Sequence, residues 1–320
     1  MGEYFLGIDL GGTNLVVGLL DSEGEIRMQQ SQPTPIERGP EFMIERLGDV
    51  CRKLAEKCNI SFNDIKGAGI GSPGPLSIKE GKIIKAGNLP GFDNFPLRDK
   101  LSEELQKPAI LDNDANAACW GEFWQGAGKE ISDMVMFTLG TGIGGGIICN
   151  GELIHGHDDN GAELGHMIVY PEGRECNCGQ KGCLEAYASA SNTAVRAMEA
   201  LEGKNESAMA ATYRKKGTLS CKDIFDHAKA GDELANEIVD GTCRALAVAC
   251  VNVLHTTEPE KVVLAGGMVN AGEMLSIRVK KFFSEMIWQL KSESLDISLA
   301  TLGGNAGVVG AAGLAWHYLK

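Results

Sequence analysis

The chain has 320 residues, with 30 Lys and Arg against 43 Asp and Glu, which gives a formal net charge of −13. This length suggests two domains. A surface this acidic repels phosphate backbones and disfavours a general nucleic-acid binder. The sequence shows no apolar run near the ~18 residues that a membrane-spanning helix needs. It also shows no basic stretch followed by an apolar core at its N-terminus. We therefore expect a cytoplasmic protein with neither a nucleic-acid nor a membrane partner.

The ten cysteines raise the question of disulfides. Cytosolic thiols stay reduced, so we expect no bridges. Three cysteines fall within the short segment 176–183 and need a separate explanation. A free Cys in an apolar pattern is usually a small buried residue, and we interpret the scattered ones in this way: Cys51, Cys58, Cys119, Cys149, Cys221, Cys243 and Cys250.

The first part of the chain mixes apolar runs of strand length with segments of helical period. The run at 4–10 ends in a Gly-Gly-Thr turn, and a second apolar run follows it directly. The predicted elements are strands at 4–10, 14–20, 25–31, 65–71 and 109–111, and helices at 39–58, 97–105 and 116–124.

The same order of elements starts again at Asp133. An apolar strand, a Gly-Thr-Gly turn and a second strand repeat the beginning of the chain. Two halves that each begin with strand, turn and strand indicate a duplicated α/β domain with a cleft between the copies. The predicted elements of the second half are strands at 134–139, 143–149, 261–265 and 295–300, and helices at 234–255, 273–288 and 306–318.

Each half carries a glycine turn that can bind phosphate. In Asp9-Leu-Gly-Gly-Thr13, a carboxylate at a strand end precedes two glycines and a hydroxyl. Such a turn exposes backbone N–H groups, and the Asp can hold a phosphate-bound Mg²⁺ through water. On this motif alone, an ordinary β-hairpin turn is an equally good interpretation. Thr138–Gly146 repeats the pattern and matches neither a P-loop nor a dinucleotide fingerprint. Two such turns suit a triphosphate.

Asn113 and Asp114 lie where the strand at 109–111 gives way to a helix. An Asp at this place can cap the helix, or it can act as a general base that accepts a proton from a substrate hydroxyl. The neighbouring Asn can hydrogen-bond other hydroxyls of the same substrate. Taken alone, the position of Asp114 favours the cap.

One His and three Cys predict a closed, tetrahedral, structural Zn²⁺ site. The residues are His166, Cys176, Cys178 and Cys183. A redox-active Cys pair is the competing interpretation, but the third Cys and the His favour a metal, since clustered thiolates need a nearby cation. Glu163 and Glu185 flank the cluster, and isolated carboxylates of this kind are usually solvated surface charge.

Together these motifs resemble the ROK family (repressors, open reading frames and kinases), and within it the bacterial glucokinases. The resemblance covers essentially the whole chain, and its Cys-x-Cys-Gly-x-x-Gly-Cys-x-Glu run is highly specific to that family. The segments that carry it are Asp9–Thr13, Gly71–Pro75, Asn88–Phe92, Asn113–Asn116, Thr138–Gly146, Gly161–His166, Cys176–Glu185 and Leu264–Gly267.

The resemblance implies a two-lobed α/β fold of the actin/hexokinase type, which is a duplicated ribonuclease H-like fold. The expected lobes are 1–112 plus 304–320, and 113–303 with the zinc-binding loop inserted. The implied activity is ATP-dependent phosphorylation of a hexose, most simply glucose, with ATP, Mg²⁺ and a structural Zn²⁺ as cofactors and a homodimer as the assembly. An N-acetylglucosamine or N-acetylmannosamine kinase is the alternative. A sugar-sensing regulator is disfavoured because Asp114 is present and no helix-turn-helix precedes residue 4.

The resemblance also assigns roles, and it reverses the isolated interpretations of Asp114, Glu163 and Glu185. Asp114 matches the base for the sugar hydroxyl, and His166 matches both a zinc ligand and a sugar-site residue. The segment 155–161 is more polar than the Gly-rich form common in the family, and it bears on sugar identity. The implied sugar-binding residues are Asn88, Asn113, Glu163, His166 and Glu185. The implied nucleotide-binding residues are Asp9, Gly11, Gly12, Thr13, Asn14, Thr138, Gly140, Thr141, Gly142, Gly266 and Gly267, with Gly266 and Gly267 by the adenosine.

Overall fold

A computed structural model describes residues 2–202, 207–288 and 295–319. The chain divides into two compact units. The first comprises Met1–Ile131, Gly146–Ala162 and Thr301–Lys320, and the second comprises Ser132–Gly145 and Glu163–Ala300.

The lobe limits expected from the sequence stay a prediction. The compact units differ from them most clearly at residues 113–131, which belong to the first unit. The physical reason is the packing of this segment against the C-terminal helix, described below.

The strands in chain order are β1 (Tyr4–Leu10), β2 (Asn14–Asp21), β3 (Ile26–Pro33), β4 (Ile65–Ser72), β5 (Leu76–Ser77), β6 (Lys82–Ile83), β7 (Ala109–Asn113), β8 (Met134–Leu139), β9 (Ile143–Cys149), β10 (Glu152–Leu153), β11 (Lys261–Ala265) and β12 (Asp296–Leu299). The helices are α1 (Pro40–Lys57), α2 (Leu97–Leu105), α3 (Asp114–Gln125), α4 (Glu185–Ala188), α5 (Ala190–Ala200), α6 (Ala208–Lys216), α7 (Cys221–Lys229), α8 (Glu233–Thr257), α9 (Glu273–Met286) and α10 (Ala306–Tyr318).

Two five-stranded sheets share one strand order. The first runs β3-β2-β1-β4-β7 and the second runs β10-β9-β8-β11-β12. In the first sheet β2 is antiparallel to β1, while β4 is parallel to it. In the second sheet β10 is antiparallel to β9, and β11 is parallel to β8. Numbered within each half, both orders read 3-2-1-4-5. The repeated order confirms the duplication predicted from the strand-turn-strand pattern.

The predicted strands and helices are confirmed, and their ends shift by only one or two residues. The sequence pattern did not predict the β5–β6 hairpin, the strand β10 or the helices α4 to α7. These elements are short, and their apolar periods are correspondingly brief. The helix α7 nevertheless carries a local start signal, a capping box in which Ser220 and Asp223 bond each other's backbone N–H groups.

By length and composition alone the helix α8 is long and apolar enough to cross a membrane. Its most apolar window is 61% buried inside the structure, and Ala245, Leu246 and Cys250 are fully buried. A mostly buried apolar helix is typical of the core of a folded domain. We therefore interpret α8 as the core helix of the second unit.

The helix α10 packs so closely on the first sheet that their backbone atoms are in contact, because glycines of the sheet face it. A Cβ on Gly7, in β1, would overlap the carbonyl oxygen of Val308. A Cβ on Gly69, in β4, would overlap the carbonyl oxygen of Ala311. The side chains of α10 from Ala306 to Ala315 are buried. Small residues on both sides therefore set the distance between helix and sheet.

The helix α3 also packs against α10 with backbone atoms in contact. The buried carboxylate of Glu122 binds the segment that precedes α10. A Cβ on Gly310 would overlap the carbonyl oxygen of Ala117. The fully buried Glu122 accepts hydrogen bonds from the N–H groups of Thr301 and Leu302 at 3.0 and 2.8 Å. A buried charge needs such donors. Residues 113–131 consequently pack with the C-terminal helix.

We expect Gly69→Ala to lower the free energy of unfolding by about 1–3 kcal/mol, because overpacking against a backbone carbonyl forces a shift of α10. Gly304→Ala is the matched control, since a Cβ there would have nothing within 4 Å. Its free energy of unfolding should stay within about 0.5 kcal/mol of the original. Urea denaturation measures both variants. Equal stability of the two would show that the close approach of α10 to β4 is not a constraint.

Candidate active site

The β1–β2 turn of the first unit is held in one shape by backbone hydrogen bonds. The N–H of Gly11 donates to the carbonyl of Asn14 at 2.9 Å, and the Thr34 hydroxyl donates to the carbonyl of Gly11 at 2.6 Å. A Cβ on Gly12 would lie 2.9 Å from the Cβ of Asn88. Thus the predicted sugar-binding Asn88 lies directly against the predicted phosphate turn. Thr13 at the tip of this turn is exposed.

Two carboxylates, Asp9 and Asp114, lie within electrostatic reach of each other in the first unit. Burial raises the pKa of Asp9 to about 6, and the charge of Asp114 adds to this shift. Burial also raises the pKa of Asp114, opposed by backbone hydrogen bonding from Ala115. A Cβ on Gly307 would overlap the Asp9 carboxylate. The N-terminus of α10 therefore packs on Asp9, and only glycine fits there.

Asn113, rather than Asp114, caps α3. The side-chain oxygen of Asn113 accepts hydrogen bonds from the N–H groups of Ala115 and Asn116 at 2.9 and 3.3 Å. Asp114 is the first helical residue. This corrects the interpretation of Asp114 as the cap. One oxygen of the Asp114 carboxylate accepts from the N–H of Ala115 at 2.8 Å, and the N–H of Asp114 itself also bonds the carboxylate.

The β8–β9 turn of the second unit repeats the glycine geometry. The N–H of Gly140 donates to the carbonyl of Gly142 at 3.0 Å, and the Thr138 hydroxyl accepts from the N–H of Gly144 at 3.1 Å. The Glu185 carboxylate accepts from the N–H of Ile143 at 2.8 Å. Glu185 is therefore bonded to this turn and is not solvated surface charge.

A cavity of about 540 Å³ opens beside this turn in the second unit. Gly140 and Thr141 line one side, and Gly267 lines another. Gly266 has a φ of 84°, and a Cβ there would lie 2.6 Å from the carbonyl oxygen of Leu139. Leu139 and Ala190 also line it. The rest of the lining comes from the sequence after Gly267 and from α7 and its cap, residues that the motifs did not indicate: Ser220, Cys221, Lys222, Phe225, Asp226, Lys229, Met268, Asn270 and Ala271.

The second unit also carries the other predicted sugar-site residues. Glu163 is exposed and begins a short 3₁₀ turn that ends at His166. This turn packs on β9, because a Cβ on Gly165 would overlap the carbonyl oxygen of Ile143. Glu163 and His166 thus lie on one turn next to β9. The N–H of Ile143, the first residue of β9, donates to Glu185.

The predicted metal ligands come together in the second unit. The ligand atoms of His166, Cys176, Cys178 and Cys183 all lie within 4.8 Å of one another. The sulfurs of Cys178 and Cys183 are 3.7 Å apart, and the sulfur of Cys176 is 3.8 Å from Nδ1 of His166. A tetrahedral Zn²⁺ with Zn–S bonds of ~2.3 Å separates its sulfurs by ~3.8 Å. The donor set and its spacing fit a zinc ion, whereas a disulfide needs sulfurs ~2.05 Å apart.

One charged pair near the candidate base was not predicted from the sequence. Nε2 of His155 lies 2.8 Å from Oδ2 of Asp112. Asp112 is buried at the end of β7, and its hydrogen bond raises the pKa of His155. The polar segment 155–161 is thereby tied to the strand that leads into Asp114. The two residues are far apart in the sequence, and no local pattern indicates that they pair.

Comparison with known proteins gives a consistent picture. The family model described as ROK family matches residues 5–317. The chain is 39% identical to the glucokinase of Halalkalibacterium halodurans over 96% of this chain and 93% of that protein. It is 32% identical to an N-acetylmannosamine kinase of Escherichia coli over 97% of each chain.

The fold also matches that of a solved structure. A ROK family glucokinase from Streptomyces griseus, in complex with glucose and AMPPNP, superposes with a TM-score of 0.79 at 30% identity. The match covers 97% of this chain and 98% of that one. The predicted α/β fold of the two-lobed actin/hexokinase type is confirmed. The chain belongs to the ROK family.

Proposed function

We propose that this chain transfers the γ-phosphoryl group of ATP to the 6-hydroxyl of glucose. The observation that carries the proposal is the partly buried Asp114 at the start of α3, whose carboxylate lies within electrostatic reach of Asp9. Phosphoryl transfer needs positioning, charge neutralisation and a base rather than covalent help from the protein. The glycine turn beside Asp9, in the same unit, would supply the charge neutralisation.

Asp114 acts in this proposal as the general base for the sugar hydroxyl. Its burial raises its pKa, which makes the carboxylate a better proton acceptor than a solvated one. Asn113 orients it by capping α3 and presents its amide to neighbouring hydroxyls. Asn88, Glu163, His166 and Glu185 complete the residues assigned to the sugar, following the family resemblance.

The two glycine turns bind the phosphates in this proposal. Gly11, Gly12, Thr13 and Asn14 offer backbone and side-chain donors in the first unit, and Thr138, Gly140, Thr141 and Gly142 do so in the second. The cavity beside Gly266 and Gly267 takes the adenosine, since its volume suits a nucleoside. Asp9 would hold Mg²⁺ through water, and the ion would supply charge neutralisation for the transferred phosphoryl group.

A structural Zn²⁺ belongs to the proposal, held by His166, Cys176, Cys178 and Cys183. The matching donor distances support it. We further propose a homodimer, following the family resemblance, and a cytoplasmic location, where ATP is present and thiols stay reduced. An N-acetylmannosamine kinase is the second candidate function, supported by the similarity to such an enzyme and by the polar segment 155–161 near the candidate base.

Asp114→Asn is expected to lower kcat by at least ~10²-fold, because the amide accepts no proton. The variant should stay folded, since its side-chain oxygen can still accept from the N–H of Ala115. Asp49→Asn, at an exposed position of α1, is the matched control and should keep its activity. A coupled ADP-release assay measures kcat, and thermal unfolding checks the fold. A folded Asp114→Asn protein with most of its turnover would exclude this role.

The zinc proposal predicts one Zn²⁺ per chain in protein purified without chelator. Cys178→Ser should lose the metal and destabilise the loop that leads to Glu185, because folding and metal binding are coupled. Cys58→Ser, outside the cluster, should keep the metal. Elemental analysis measures the content of each protein. Purified protein that folds and contains no zinc would refute the site.

Glucose is expected to be preferred over N-acetylglucosamine and N-acetylmannosamine by at least ~10-fold in kcat/KM, about 1.4 kcal/mol of discrimination. The basis is the Asn88–Phe92 segment, which resembles the glucokinase form, and the carboxylates Glu163 and Glu185. An N-acetyl group in place of the 2-hydroxyl would leave a buried polar group poorly paired, at a cost of ~1–3 kcal/mol.

One assay across glucose, mannose, fructose and both acetylated sugars measures this preference. A higher kcat/KM for an acetylated sugar would contradict the preference for glucose and favour an N-acetylhexosamine kinase. The protein would still be a sugar kinase. No phosphorylation of any hexose by folded protein would refute both.

A further inference from the structure

We propose that His155 is a positioning residue for the phosphoryl transfer, acting through its hydrogen bond to Asp112 on the strand end that carries Asp114. The inference rests on the proposed kinase function. It assigns a role to two residues outside the motifs that carry the family resemblance.

Asp112 is a buried carboxylate whose two oxygens are both in use. Its side chain is 2% exposed. Oδ1 accepts from the N–H of Asn113 at 2.8 Å and from the amide of Asn116 at 3.0 Å. Oδ2 faces Nε2 of His155 at 2.8 Å. A buried carboxylate oxygen left without a donor is costly, so removal of the imidazole would force Asp112 to reorient or to take up a proton.

Reorientation of Asp112 would displace Asp114 through the neighbouring residue Asn113 and the first turn of α3. The N–H of Asn113, which Asp112 holds, belongs to the residue whose side chain caps α3. Asp114 is the next residue, and its carboxylate is bonded to the second N–H of the same helix. Displacement of a reacting group by ~1 Å can cost about 10²-fold in rate. The position of Asp112 therefore determines the conformation between β7 and α3, and with it the orientation of the Asp114 carboxylate.

The imidazole itself is held in place rather than free. The segment that begins at His155 closes on itself, since the N–H of Gly161 donates to the carbonyl of His155 at 2.7 Å. The carboxylate of Asp159 accepts from the N–H of Lys79 at 3.1 Å, which fixes the segment at a second point. The side chain of His155 is only 22% exposed. These contacts distinguish the pair from an exposed ion pair, which contributes little.

The groups around His155 favour its hydrogen-bonded, charged form. Its pKa is raised, first by the hydrogen bond to Asp112 and further by the charges of Asp112, Asp159 and Glu152, against the opposing effect of burial. A cation at this place offsets the buried charge of Asp112. It thereby keeps Asp112 an acceptor for the N–H of Asn113.

The test compares His155→Ala, His155→Gln and the control His255→Ala in the holoenzyme, with glucose and MgATP as substrates. His255 is an exposed histidine in α8, outside the proposed sites. We expect His155→Ala to lower kcat about tenfold while both KM values change less than about threefold, because the variant misplaces the base without weakening substrate binding. His155→Gln should keep most of kcat, since its amide can donate to Asp112. His255→Ala should equal the original protein.

Added imidazole separates positioning from mere stability. It should restore part of the kcat of His155→Ala by filling the vacated place beside Asp112, and it should not change the kcat of His255→Ala. The inference is overturned if folded His155→Ala keeps kcat within twofold. It is also overturned if a smaller folded fraction of His155→Ala accounts for the whole loss of kcat and imidazole restores no activity.

If His155→Ala does not fold, the comparison of His155→Gln with His155→Leu decides, because leucine fills a similar volume without a donor. Equal kcat in these two variants would overturn the inference. Failure of the proposed function looks different, since the original protein itself would then phosphorylate no hexose. Failure of this inference alone leaves the original protein active and His155→Ala equally active.

Discussion

The close approach of α10 to the first sheet and to α3 is the constraint on which the candidate site depends. Gly7 and Gly69 leave no side chain between the sheet and the helix, so α10 lies at backbone distance. At that distance the helix brings Gly307 against the carboxylate of Asp9. The same helix holds α3, whose first residue is Asp114. A single buried helix of small residues thereby sets the places of both carboxylates.

That geometry has an electrostatic consequence, because Asp9 and Asp114 lie in one partly buried region. Burial, and to a lesser degree the charge of Asp114, raises the pKa of Asp9 to about 6. Asp114 lies at the N-terminus of α3, where the helix dipole and the N–H of Ala115 favour the charged form. These contacts oppose the effect of burial on Asp114, which suits its proposed role as a base, and a cation such as the proposed Mg²⁺ would favour the ionised form of Asp9. A nucleotide complex that supplies this cation would stabilise the ionised form of both groups.

The sequence predicts the parts of this arrangement that local chemistry determines. The glycine turns, the His and Cys cluster and the alternating elements each depend on residues close together in the chain. The choice between Asn113 and Asp114 as the helix cap depends on a one-residue register, which the residue types leave open because both can cap. The wall that α7 contributes to the second-unit cavity, and the pairing of His155 with Asp112, join segments distant in sequence. Only the packed fold brings these together.

Glu185 shows how the candidate metal centre and the second glycine turn are joined. One oxygen accepts from the N–H of Ile143 at 2.8 Å, and the other lies 4.0 Å from the sulfur of Cys176. A Cβ on Gly142 would lie 2.5 Å from the first oxygen, so glycine is needed for the carboxylate to reach the turn. A carboxylate oxygen has two lone pairs, and a sugar hydroxyl can therefore donate to Glu185 while the bond to Ile143 persists. One side chain would then link the proposed sugar to the turn proposed for the phosphates.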